Sequence, residues 1–222
     1  MRILLTLLLA ANALFAHGVQ GRDAEFLKHV SGAHAGPFLY LGAKHMVTGY
    51  DHLLFLFGVI FFLYRMKDVA VYVTCFALGH SITLLTGVLS GIHVNPFLVD
   101  ALIGLSVVYK AFDNLDGFKT MFGFQPNTKL TVLGFGLIHG FGLATKLQEF
   151  NLSPDGLVPN MISFNVGVEL GQMLVLALLV PALMLLFRYV LAERMGTIIL
   201  SAFVAHTGWH WMLERWDVLR KF

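Results

Sequence analysis

Six of the ten histidines in this chain lie inside long apolar runs: His45, His52, His80, His139, His206 and His210. An imidazole or carboxylate left alone in hydrocarbon costs several kcal/mol, so such groups pair, face water or hold an ion. In His45-x5-Asp51-His52 the histidines are seven residues apart and share a helix face, with Thr48 between them. Asp51 points about 100° away from His52. It ligates an ion only if Gly49 lets the helix distort, and otherwise serves as a hydrogen-bond acceptor for a histidine ring. His80 shares a stripe with Thr83 and Gly87, and His139 sits in Gly136-Leu-Ile-His-Gly-Phe-Gly142. Asn165, Glu169 and Gln172 follow one another at i, i+4 and i+7, a polar stripe suited to interhelical hydrogen bonds as much as to metal or proton work. His206 and His210 have the i, i+4 spacing with which one helix chelates an ion, although Trp209, Trp211 and Trp216 beside them also suit an interfacial aromatic belt.

The lone cysteine, Cys75, excludes an intramolecular disulfide and a CxxC site, so any metal is held by nitrogen and oxygen. Such donors suit nickel, cobalt, zinc or iron(II) and disfavour copper(I). The expected ligands are His45, Asp51, His52, His80, His139, Glu169, His206 and His210. If the site is catalytic instead, Asp51 or Glu169 is the candidate general base. Counted from the expected helix ends, His45, His52, Glu169, His206 and His210 fall in the outer half of a bilayer. His80 and His139 fall near its middle, so one connected cavity is expected.

The elements that must position these groups follow from composition. The chain is 57% hydrophobic and only 13% charged, against roughly 25% charged in soluble domains. A net charge of +2 with no basic patch excludes a nucleic-acid partner; the lipid bilayer and a metal ion are the expected partners, and a homo-oligomer is left open. Crossing the hydrocarbon core takes about 20 apolar residues, which predicts six helices at 37–64, 69–90, 96–112, 130–148, 160–187 and 195–213. Ahead of them, Arg2 and the short apolar stretch Ile3 to Phe15 read as a cleavable signal peptide over 1–16; left uncleaved, it adds a seventh helix. The expected fold is therefore an all-α polytopic bundle: an exported histidine-containing segment at 17–36, the six-helix domain at 37–213 and an exported tail at 214–222.

Arg65, Lys67, Lys110, Lys119, Lys129, Arg188 and Arg194 gather in alternate loops, which makes those loops cytoplasmic and the mature N-terminus external, in an inner membrane. Arg215, Arg220 and Lys221 in the tail argue mildly the other way. Gly136-x-x-x-Gly140 and Gly167-x-x-x-Gly171 are patterns that let helix backbones approach. Because they surround His139 and Glu169, their helices are expected to meet near a polar site.

His45-x5-Asp51-His52 in the first span, Gly79-His80-Ser81 in the next and Ile138-His139-Gly140 in the fourth resemble the HupE/UreJ family over essentially the whole chain. The family is described as nickel/cobalt permeases associated with hydrogenase and urease. The resemblance implies that His45, Asp51 and His52 carry metal selectivity. The chain departs from the family pattern after His139: Phe141-Gly-Leu-Ala-Thr145 holds no glutamate, and Glu169 is expected to stand in.

Two functions of different class follow. A permease would pass an ion along exchangeable ligands, with His17, His29 and His34 concentrating it outside; lacking GxxxxGK[ST], it would be facilitated, gradient-driven or served by a separate ATPase. A zinc-dependent membrane hydrolase would use His206, His210 and one of His52 or His80. A last-span HxxxH looks like that of the ceramidase-like and adiponectin-receptor-like hydrolases, whose seven spans require the uncleaved N-terminus here. A sensor or metallochaperone-like role is the third alternative.

Overall fold

The computed structural model describes residues 21–60 and 66–221. The expected signal peptide and the end of the first span, 61–64, lie outside the described residues. Every regular element among the described residues is helical: α1 Arg22–His29, α2 Ala35–Thr48, α3 Tyr50–Ile60, α4 Met66–Ser90, α5 Pro96–Asn114, α6 Gly117–Phe122, α7 Thr128–Gln148, α8 Leu157–Tyr189 and α9 Glu193–Leu219. Asparagine side chains start two of the long helices. Asn95 accepts from the amides of Phe97 and Leu98 ahead of α5, and Asn127 accepts from those of Lys129 and Leu130 ahead of α7. Three helices among the described residues are long and apolar enough to cross a membrane, Val69–Ser90, Thr128–Gln148 and Leu157–Tyr189. The last helix runs on to Leu219, through most of the segment expected as a tail.

The expected first span is two helices. Gly49 takes an extended backbone (φ −77°, ψ 97°) between α2 and α3. Its amide still reaches the His45 carbonyl at 2.8 Å, and its own carbonyl accepts from Leu53 at 3.0 Å, so Gly49 closes one helix and opens the next. A Cβ at position 49 would stand 2.8 Å from the His45 carbonyl oxygen and 3.0 Å from His52 Nδ1. Only glycine fits this joint.

Glycine also selects the helix pairs. Without water to drive helices together in a bilayer, close backbone approach supplies the attraction. Gly136 and Gly140 of α7 lie against the Phe76 and His80 carbonyls of α4, and Gly79 of α4 against Leu133 and Leu137. Thr83 Oγ1 spans the same joint, donating to the Leu137 carbonyl at 2.7 Å. Gly167 and Gly171 of α8 lie against Leu39 and Ala43 of α2, while Gly104 of α5 meets Gly208 and Met212 of α9. The two glycine motifs thus do not face each other: each serves a different neighbour, α4 for one and α2 for the other. The order of these contacts also gives direction. Numbers rise together along α4/α7 and α2/α8, which are parallel. They run oppositely along α5/α9, where Asp100 faces Arg215 and Gly104 faces Met212.

The segment before α2 closes one end of the bundle. Leu27 of α1 is buried with Phe38, Leu147 and Met161, and Lys44 pairs with Asp23 at 2.6 Å. Asn160 ties the turn to α8, accepting from the His34 amide at 2.6 Å and donating to the Gly32 carbonyl at 2.9 Å.

Candidate metal centre

Four helices bring an imidazole to the middle of the bundle: His45 from α2, His52 from α3, His80 from α4 and His139 from α7. The ring centroids of His45 and His52 are 4.9 Å apart, those of His52 and His80 5.6 Å, and those of His52 and His139 5.0 Å. Two groups have ligating atoms within 4.8 Å of one another, His45 with His52 and His80, and Asp51 with His52 and His139. His52 belongs to both. The kink at Gly49 makes this possible, because it turns the start of α3 so that Asp51 and His52 sit beside His45. Rings line the pocket: Phe76 lies 5.1 Å from His139 and 6.0 Å from His52, Phe55 lies 5.3 Å from His139, and Phe164 lies 6.1 Å from His45. His52, His80 and His139 are at most 2% exposed.

Hydrogen bonds assign two of the tautomers. The Asp51 carboxylate accepts from His52 Nδ1–H at 2.8 Å and from the His52 amide at 2.9 Å, which leaves the His52 lone pair on Nε2. Ser106 of α5 donates its hydroxyl to the Ile103 carbonyl at 2.6 Å, so its oxygen accepts from His139 Nε2–H at 3.1 Å. His139 therefore carries its lone pair on Nδ1. His45 Nε2, His52 Nε2 and both ring nitrogens of His80 are buried with no hydrogen-bond partner. A buried polar atom left so costs about 1–3 kcal/mol, and imidazole nitrogens converging without partners fit a metal ion.

Three expected ligands lie apart from these groups. Glu169 and His206 are exposed. His210 faces Glu214, Nε2 to Oε1 3.3 Å. The reason is angular. Glu169 stands two residues from both Gly167 and Gly171, and His206 and His210 each stand two residues from Gly208. Two residues turn a helix by about 200°, so these side chains point away from the glycine-packed faces. The stripe on α8 divides accordingly: Asn165 and Gln172 are buried, and Glu169 is not. Ser106 is the functional residue the sequence reading missed. Its signal is a lone serine in an apolar helix.

An all-helical bundle with helices long enough to cross a membrane, and buried histidines and an aspartate converging within it, defines a helical membrane protein with metal-binding geometry. Residues 21–215 match the family model described as HupE / UreJ protein, and the chain belongs to that family. No curated protein and no solved structure matches it.

Proposed function

We propose that this protein is a permease for a divalent transition-metal ion of the nickel or cobalt kind, with the ion as cargo. His45, His52, His80, His139 and Asp51 are its binding residues, and six spans follow a cleavable signal peptide. The observation that carries the reading is the pair of overlapping ligand groups sharing His52. An ion held first by His45, His52 and His80 can pass to Asp51, His52 and His139 by exchanging ligands around one fixed imidazole. Tetrahedral coordination at about 2.1 Å puts donor atoms roughly 3.4 Å apart, closer than the 4.8 Å that bounds these groups. Donors within that bound can meet an ion through small side-chain adjustments, and conduction needs binding that is not too tight to release.

Family membership supports metal transport. The helix directions support the six-span count: first and fifth parallel, second and fourth parallel, third and sixth antiparallel, as alternating crossings require. The zinc-hydrolase alternative needs His206 and His210 beside His52 or His80, whereas His210 faces Glu214. The test is uptake of radioactive nickel(II) and cobalt(II) by purified protein in proteoliposomes. Saturable uptake that is lost in His52→Ala is expected. No uptake of nickel, cobalt or zinc by wild type that retains a bound, chelator-resistant ion would move the assignment to an enzyme.

A further inference from the structure

Beyond the histidines the bundle buries a second set of charged groups. Ser106, which holds His139, is followed one turn along α5 by Lys110, then by Asp113 and Asn114. One turn of helix is about 5.4 Å of travel, so these groups continue from the histidine cluster toward the end of the bundle opposite α1. Lys110 and Asp113 are both buried and paired with each other, and Asp113 also accepts from Gln125 Nε2. The Lys110 stem crosses α3 at Gly58, where a Cβ would meet its Cγ at 3.2 Å. Gly58 lies six residues beyond His52 on the same helix. Next to the pair, Asn114 donates Nδ2 to the Gly58 carbonyl at 2.8 Å while its Oδ1, also buried, has no partner. Asn114 in turn lines a cavity of about 570 Å³ with Asp116, Thr120, Glu193, Arg194 and Thr197.

A buried ion pair is poor evidence of stabilisation, since desolvation offsets its attraction. Its position has a use. A cation travelling along α5 from Ser106 toward this cavity would reach Lys110 beside Gly58 of α3, and there it meets an ammonium already seated on the Asp113 carboxylate. Resting on the permease reading, we propose that Lys110 is a tethered cation that closes this end of the path. It is held in place by Asp113, and Asn114 Oδ1 is the first acceptor in the cavity beyond. Transport then requires Lys110 to leave Asp113 while the ion passes.

The two charges have opposite roles, so their removal has opposite effects. Asp113→Asn leaves an unpaired ammonium in the path, and nickel(II) flux into proteoliposomes falls at least tenfold while cobalt(II) affinity at the histidines, read from its visible absorption spectrum, stays as in wild type. Lys110→Gln leaves a carboxylate with no tethered cation, and flux rises severalfold above wild type. A pair serving only to hold the α5–α6 corner would lower flux in both variants. If a single variant fails to fold, the double variant Lys110→Gln/Asp113→Asn leaves no buried charge unpaired. Flux in the double variant at or above wild type supports the gate, and slower flux overturns it. Wild-type flux with both single variants unchanged overturns the gate alone. No wild-type flux despite cobalt binding overturns the permease reading and the gate with it.

Discussion

His52 donates its Nδ1–H to the carboxylate of the residue just before it, Asp51, at 2.8 Å, and this bond points the Nε2 lone pair toward the other imidazoles. The arrangement is the carboxylate–histidine pairing that fixes the tautomer and orientation of a metal-ligating ring. Asp51→Asn keeps an acceptor oxygen at that place but removes the negative charge that offsets a divalent ion in a low-dielectric site. Cobalt(II) affinity is expected to fall about 10- to 100-fold, with nickel uptake lost and the unfolding midpoint in detergent nearly unchanged. Titration of the purified variant checks this, and wild-type affinity would remove Asp51 from the site.

His80 and His206 are both expected ligands on long apolar helices, and the structure separates them. His80 is fully buried within one of the ligand groups, whereas His206 is exposed on α9. His80→Ala should therefore lower cobalt(II) affinity at least about tenfold, because it strips a ligand from the group it forms with His45 and His52. His206→Ala should leave affinity within about twofold, since no donor atom is lost from the imidazole cluster. Cobalt titration of the two variants side by side measures the difference. A larger loss in His206→Ala would return α9 to the site.

Much of the cluster was legible in the sequence because one-dimensional spacing and helix geometry agree there. His45 and His52 are seven apart, Asp51 lies beside them, and His80 and His139 stand out as histidines in apolar helices, a set the family resemblance also marks. The wrong side of Glu169, His206 and His210 was legible too, had the glycines been read first. A residue two positions from a contact glycine must point away from the contact, whereas His139, adjacent to Gly140, stays at its edge. What spacing cannot supply is which helices pair. The glycine motifs on α7 and α8 look alike in sequence, yet one faces α4 and the other α2, because carbonyl oxygens from distant segments complete each joint. The kink was half legible: Gly49 marked the place, and the extended backbone there comes from tertiary packing. Ser106, Lys110 and Asp113 carried no recognisable motif, and their meaning depends on what they face.

The α4/α7 joint predicts a sharp contrast between two glycines of one helix. A Cβ at Gly140 would run into the His80 carbonyl and the Thr83 hydroxyl, whereas a Cβ at Gly134 meets nothing within 4 Å. Gly140→Ala should destabilise the protein by about 1–3 kcal/mol, the usual cost of overpacking, and should weaken cobalt binding by pushing His139 away from His52. Gly134→Ala should be neutral or stabilising by up to about 1 kcal/mol, the helix preference of alanine over glycine. Unfolding midpoints in detergent decide it. Equal effects of the two substitutions would contradict the close approach of α4 and α7.

Neighbouring imidazoles in this cluster carry their protons on different nitrogens, and Ser106 is responsible for one of them. Its hydroxyl hydrogen is committed to the Ile103 carbonyl, so its oxygen can only accept from His139. His139 is thereby held as the Nε2–H tautomer, while Asp51 holds His52 as Nδ1–H. Nitrogen NMR of imidazole-labelled protein in detergent distinguishes the two forms directly. In wild type the His52 proton should lie on Nδ1 and the His139 proton on Nε2, both in slow exchange with water. Ser106→Ala should abolish the Nε2–H preference of His139, leave His52 unchanged and weaken cobalt binding about 10- to 100-fold, as loss of an orienting partner does. The stability cost should be smaller, about 1–3 kcal/mol for the donor left without an acceptor. If His139 in wild type bears its proton on Nδ1, Ser106 does not orient it, and the lone pair assigned to the Asp51, His52 and His139 group is on the wrong atom.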